Sequence, residues 1–446
     1  MQFSRRQFNF GLGSVAFGGI ATRACAQIPP MSRNEVAGYG AMVRDPNNLI
    51  DLPKGFSYRV ISRFGNVMDD GHVVPNSGDG MGAFAFGKGK VALVRNHELN
   101  VRDGRFGPFA GKVANDFTAY DRGKDGVPLP GGTTTLIYDL KSQRVENQFL
   151  SLSGTIRNCA GGVTPWGSWL SCEENTTRAG DSAGKDHGFI FEVPSAHKGL
   201  VTPVPLTAMG RFNHEAACID PRTGIVYLTE DRDDSLLYRF LPNAKGDLAK
   251  GGRLEALVID GVADSRNWSE AIVIRGKTHT PRWVALDGPE APDDDLRKRG
   301  ALAGATVFAR GEGIWWGKGE LFFTCTSGGA KKLGQIFRLR PSMGTESDLI
   351  ELFYESMDAA FFNFGDNLTV APTGHLMVCE DQYTDITDNH LRGITPDGKA
   401  YAFAKSRVQT EFAGACFSPD GSTMFVNLYA PTMTLAITGP WNRVRA

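Results

Sequence analysis

One short pattern recurs about six times along this chain: a polar or acidic residue, a few small or apolar residues, a Pro- or Gly-marked turn, a β-rich run, and another acidic or polar residue. The clearest copies start at Cys159, Glu215, Glu312 and Asp366 and end at Glu174, Asp231, Thr326 and Asp381. Weaker ones run from Asp79 to Glu98 and from Glu411 to Asn427. Each copy predicts a β-hairpin. A hairpin cannot bury its apolar face alone, so a repeated all-β unit at this spacing points to radial assembly. The expected fold is therefore an all-β propeller. Six blades is the first reading, five or seven the alternatives.

The remaining composition agrees. With 446 residues and 41% hydrophobic content the chain can bury a large core. Fifty-four Gly and 23 Pro suit many turns, and the strand-like hairpins run to the C-terminus without a compositional break. One domain is expected over residues 27–446, its termini sharing a blade. Leu52-Pro-Lys-Gly-Phe-Ser-Tyr-Arg-Val-Ile-Ser reads as the first strand. Three stretches read as surface insertions, 175–187, 242–253 and 287–301, the last with the charge pattern of a short helix over which a lid reading also stands. A net charge of −1 leaves no electrostatic footprint for nucleic acid or an anionic membrane.

Residues 1–26 read as a targeting segment. Ser4-Arg5-Arg6-Gln7-Phe8 matches the twin-arginine pattern, a Gly/Ala-rich apolar stretch follows, and Ala24-Cys25-Ala26 is a small-residue cleavage site. The expected partner is the twin-arginine export machinery, and the expected location is periplasmic or secreted. Thr22-Arg23-Ala24 before Cys25 makes a poor lipidation site, so no stable membrane anchor is expected. Export of folded protein by this route raises the expectation of a cofactor loaded beforehand. Six cysteines remain after cleavage, none in a Cys-x-x-Cys pair, so a structural zinc site is not indicated. Cys172, Cys325 and Cys379 sit in apolar strand runs and read as buried thiols. Cys159 stands where other repeats carry Glu or Asp.

The innermost strand of a propeller blade lines the channel, so a residue at its start points to the axis at one mouth. Repeat alignment puts Asp79, Cys159, Glu215, Glu312, Asp366 with Asn367, and Glu411 there. Four or more carboxylates meeting at one point cannot all stay ionised without a cation. Oxygen ligands suit Ca²⁺, and a thiolate among them shifts the preference toward iron or zinc. At the other hairpin end lie Asn96-His97-Glu98, Glu173-Glu174, Glu230-Asp231 and Glu380-Asp381; of these Glu173 is the preferred further metal ligand. His97 and His214 read as structural hydrogen-bonded groups. Arg310, two residues from Glu312, is placed to fork a phosphate. Asn158, with Arg157 before it, is a second candidate of that kind. No Gly-x-Ser-x-Gly elbow or P-loop is present.

The run from Asn158 to Asn175, with Gly210 to Ala216, Arg310 to Gly313 and Asp366-Asn-Leu, resembles the PhoX family of alkaline phosphatases across essentially the whole mature chain. The resemblance implies a propeller phosphomonoesterase with an iron (Fe³⁺) and calcium cluster; small phosphorylated substrates and a monomer are expected. It implies a thiolate ligand at Cys159 or Cys172, glutamate ligands at Glu215 and Glu312, and phosphate contact by Arg310. No side-chain nucleophile is evident, so the ions are expected to supply it. Two other readings stand beside this one. One is a calcium-dependent lactonase using Glu312, Asn367 and Asp366. The other is a non-catalytic propeller stabilised by calcium.

Overall fold

The computed structural model describes residues 32–444 apart from 110–112, 115, 345 and 383–386. The twin-arginine segment and Cys25 lie outside the described residues. Every repeat read from the sequence forms the two inner strands of one sheet, and six such sheets form six blades. Blade 1 starts with Gly78–Ala85 and Lys90–His97, blade 2 with Asn158–Val163 and Ser168–Glu173. Blade 3 starts with His214–Ile219 and Val226–Glu230, blade 4 with Gly311–Trp316 and Leu321–Cys325. Blade 5 starts with Gly365–Val370 and Leu376–Glu380, blade 6 with Phe412–Phe417 and Thr423–Leu428. Each first strand packs on the first strand of the next blade, and that of blade 6 packs on that of blade 1. The ring is closed around a central axis, which removes the long exposed edges an open sheet would leave.

The N-terminal region closes the ring in two pieces rather than one. The stretch expected as a single strand breaks at Pro53-Lys54-Gly55, where Gly55 takes φ 94° and the Phe56 N–H bonds the Pro53 carbonyl at 3.1 Å. Ser57–Arg63 becomes the outer strand of blade 6 against Met433–Thr438, so both chain ends do share a blade. Ile50–Pro53 instead extends blade 5 against Ala400–Ser406.

Apolar side chains fill the spaces between neighbouring blades. Leu170, Cys172 and Ile190 of blade 2 meet Ala217, Leu228 and Tyr238 of blade 3. All six described cysteines are buried, and no disulfide joins any of them to another. The 287–301 insertion carries the short helix Leu296–Leu302 over blade 3. Among the described residues no helix is long and apolar enough to cross a membrane.

Candidate active site

All six first strands carry a bulge near their start. The pairing slips between Gly78 and Met81, Asn158 and Gly161, His214 and Ala217, Gly311 and Ile314, Gly365 and Leu368, and Ala413 and Cys416. A bulge inserts an extra residue and re-aims its side chain. The residues so placed are Asp79, Cys159, Glu215, Glu312, Asp366 and Gly414. Five polar side chains thus converge from five blades. Blade 6 offers none: Gly414 has φ 62°, and a Cβ there would lie 2.2 Å from the Asp79 carbonyl oxygen. Glu411, three residues earlier, reaches in instead.

In blades 1, 2 and 5 the residue after the second strand adds a further acid. Glu98, Glu174 and Asp381 join the bulge residues in a chain of trios whose ligand atoms lie within 4.8 Å of one another. The trios are Asp79–Glu98–Cys159, Cys159–Glu174–Glu215, Glu215–Glu312–Asp366 and Asp366–Asp381–Glu411. Each shares a residue with the next, so one continuous band runs around the mouth. The Cys159 thiol sits inside it, donating to Glu215 Oε1 at 3.1 Å and Asp79 Oδ2 at 3.4 Å. Cys172 lies in the apolar layer between blades 2 and 3, where burial pushes its thiol pKa well up.

Strand alternation explains which acids reach this band. Residues opposite one another on a ladder share a face. Glu173 pairs with Asn158, so both face into the blade, while their neighbours Glu174 and Cys159 face the axis. Glu173 is not brought to the cluster. Its oxygens accept from the N–H groups of Ile156 (2.9 Å), Gly188 (2.9 Å) and Phe189 (3.2 Å), and its Oε1 meets His187 Nδ1 at 2.6 Å. Asn158 is likewise turned away. It donates to Ser171 Oγ at 2.8 Å and accepts from Thr155 Oγ1 at 2.6 Å. Asn367 lies one step outside the band. It donates to Asp366 Oδ1 at 3.0 Å and accepts from the Gly414 N–H at 2.7 Å, so it orients Asp366 across the gap between blades 5 and 6. His97 and His214 are buried and hydrogen-bonded to backbone carbonyls of Asn76 and Gly210, and burial pushes both pKa values down, His214 to about 3.

Two guanidinium groups enter from the turns that launch first strands. Arg157 and Arg310 take left-handed backbone conformations, φ 48° and 50°, as Ser77 and Phe364 do at the matching positions of blades 1 and 5. Such strain costs about 1–3 kcal/mol per residue and persists where the surroundings impose it. Arg157 donates to Glu98 Oε1 at 2.8 Å and to the Glu174 carboxylate and carbonyl. Arg310 grips Asp231 with Nε at 2.7 Å and Nη2 at 2.9 Å, and reaches Glu312 Oε1 at 2.8 Å. Among the described residues its Nη1 has no hydrogen-bond partner. Burial works against both charges, but the neighbouring carboxylates outweigh it and raise both pKa values.

Two guanidiniums do not balance this many acids. Burial first, then the carboxylates of Asp231, Glu215 and Asp366, drive the Glu312 carboxyl well above its usual range despite Arg310. Glu312 Oε2 is buried and has no hydrogen-bond partner. An acceptor with no donor, at the centre of a carboxylate band that also holds a thiol, fits a metal cluster.

The family model for alkaline phosphatase PhoX matches residues 37–139 and 129–432. The chain belongs to the PhoX family of alkaline phosphatases. Its fold matches that of Pseudomonas fluorescens PhoX in complex with vanadate, a transition state analogue, with a TM-score of 0.66 and 19% identity, covering 92% of this chain and 98% of that one. XC5397 from Xanthomonas campestris, a gluconolactonase, is similar at a TM-score of 0.42 and 11% identity, covering 90% of this chain and 100% of that one. No curated protein sequence matches the chain.

The sequence named five of the six bulge residues, with Glu411 in place of Gly414, and of the paired acids it preferred Glu173 and did not single out Glu98, Glu174 or Asp381. The paired acids signalled that one of each pair mattered. Which one depends on ladder register, which the sequence does not print. Arg157 and Asn158 were weighed together as phosphate contacts, and of the two it is Arg157 whose side chain enters the band.

Proposed function

We propose that this chain is a phosphoric monoester hydrolase whose axial band holds a mixed iron and calcium cluster. The observation that carries the reading is the buried, partnerless Glu312 Oε2 between neighbouring carboxylates, within a family of alkaline phosphatases. Cys159, Glu215, Glu174 and Glu312 would hold iron, because a thiolate among carboxylates favours the softer metal. The all-oxygen set Asp366, Asp381 and Glu411, with Asp79 and Glu98 at the other end of the band, would hold calcium. Bound at these residues, the ions would neutralise the developing charge of the phosphoryl group and supply the nucleophile that no side chain offers.

The chain's own residues then bind and orient the ester. Arg310 is locked by Asp231 and Glu312, which leaves Nη1 to donate to equatorial phosphoryl oxygens without rotamer loss. Arg157 holds Glu98 and Glu174 in place from beneath. Cys159 in the band speaks against the lactonase reading, which needs a single hard cation and no thiolate. The substrates are small phosphate esters, the chain acts as a monomer, and residues 1–26 direct it through the twin-arginine machinery to the periplasm or beyond. Arg310→Ala should lower kcat by about a hundredfold and raise KM on phenyl phosphate. Unchanged kinetics would remove Arg310 from the reaction.

A further inference from the structure

A third guanidinium sits at the same mouth, further out than the other two. Side-chain exposure rises from 8% for Arg157 to 20% for Arg310 and 36% for Arg232. Arg232 follows Asp231, the acid that grips Arg310, and its carbonyl accepts the Arg310 N–H at 2.9 Å. Its Nη2 donates to Asn213 Oδ1 at 3.0 Å. Asn213 occupies, in blade 3, the position that Arg157 and Arg310 occupy in blades 2 and 4. Arg232 is therefore tied to the rim of the site by backbone and by side chain.

No carboxylate grips it as carboxylates grip the other two. Arg157 and Arg310 each contact two carboxylates at hydrogen-bond distance. Among the described residues Arg232 has no carboxylate within hydrogen-bond reach: Asp294 Oδ2 lies at 3.6 Å, and Glu230 feels its charge without bonding it. Its Nε is buried without a partner. Asp294 belongs to the 287–301 insertion, which is held down rather than hinged. Arg297 Nε bonds Asp234 Oδ1 at 2.9 Å, Arg211 Nη1 bonds the Ala291 carbonyl at 3.1 Å, and Arg178 Nη1 bonds the Pro292 carbonyl at 2.6 Å. The insertion is a fixed wall beside Arg232.

We infer that Arg232 is a specificity-determining residue that binds a second anionic group, on the alcohol side of the phosphate ester. Its outward position separates it from the phosphoryl-binding role of Arg310. A planar fork with spare donors at a part-desolvated rim suits a carboxylate or a second phosphate. The preferred substrates are then esters whose leaving group is itself negatively charged. This rests on the phosphatase reading of the axial site.

The test compares phenyl phosphate with 4-carboxyphenyl phosphate on the metal-loaded full chain. Arg232→Ala should lower kcat/KM for the carboxylated ester about tenfold more than for phenyl phosphate, the size expected for one charge-assisted hydrogen bond. Arg232→Lys, which keeps the charge, should recover most of that difference, and bound metal per chain should match the wild type in both variants. An equal loss on the two esters, or no loss, overturns the inference while leaving the phosphatase reading intact. A wild-type chain that holds metal yet hydrolyses neither ester overturns both.

Discussion

Adjacent carboxylates at the ends of the second strands have opposite fates. Glu173, Glu230 and Glu380 face into their blades, and both oxygens of Glu173 and of Glu380 are met by donors the fold provides. Glu380 accepts from the N–H groups of Asn363 and His390, both at 3.0 Å, and from Arg392 Nε at 2.7 Å. Glu230 is met only in part: it accepts from the Tyr238 hydroxyl at 2.6 Å, but its Oε1 has no hydrogen-bond partner among the described residues, and burial raises its pKa to about 7. One residue on, Glu174, Asp231 and Asp381 face the axis, where other acids crowd them. Glu173 and Glu380 are staples, whereas Glu174 and Asp231 are held among other acids by the guanidiniums of Arg157 and Arg310. A fold that ties one carboxylate of a pair into its blade and turns the next toward the axis has separated stability from function within two residues.

The comparison can be broken by mutation. Glu380→Ala leaves Arg392 as a buried charge with no acid, and should cost about 3–5 kcal/mol of stability in the metal-free protein. Urea denaturation of the chelated protein measures it. Glu173→Gln keeps the shape but takes away a charge that balances His187, and should cost about 1–3 kcal/mol. Asp381→Asn should do the reverse, raising metal-free stability by up to about 1 kcal/mol as repulsion is relieved, while lowering bound metal by elemental analysis. If Asp381→Asn destabilises the metal-free chain as Glu380→Ala does, the two sets are not distinct.

A pH dependence sharpens the same contrast. His187 is buried between Glu173 and Asp121; burial opposes its charge, but the two acids prevail and raise its pKa to about 9. A folded pKa above the unfolded value near 6.5 stabilises fully below pH 6.5, and that contribution fades as pH rises through about 9. The loss should reach roughly 2–3 kcal/mol by pH 10. Thermal melts of the wild type and His187→Asn across pH 6–10 should converge at the alkaline end. Curves that stay parallel would show that His187 carries no charge in the blade.

Much of this was legible because the repeat is a packing unit. The hairpins were visible as recurrent patterns, and the polar residue at each first strand marked the axis. The bulge hid in Asp79-Gly80, Cys159-Ala160 and Glu312-Gly313, small pairs that give no hint of a register slip. Without that slip, neither the turned-in Asn158 and Glu173 nor the axial Glu174 could be told apart. Glu411 was placed by analogy, yet it reaches the band from a different backbone position, because Gly414 must clear the Asp79 carbonyl. The split of the first strand at Pro53-Lys54-Gly55 shows the same limit: local alternation continues through a turn that sends the two halves to different blades.

The most direct test of the central claim is the metal content of the exported protein, purified without chelator or added metal. Elemental analysis and an absorption spectrum should be recorded for the wild type and Cys159→Ser. Iron and calcium together, with a visible charge-transfer band that is lost in Cys159→Ser, are the expected result. Calcium alone with no colour, or a band that survives the substitution, would contradict it.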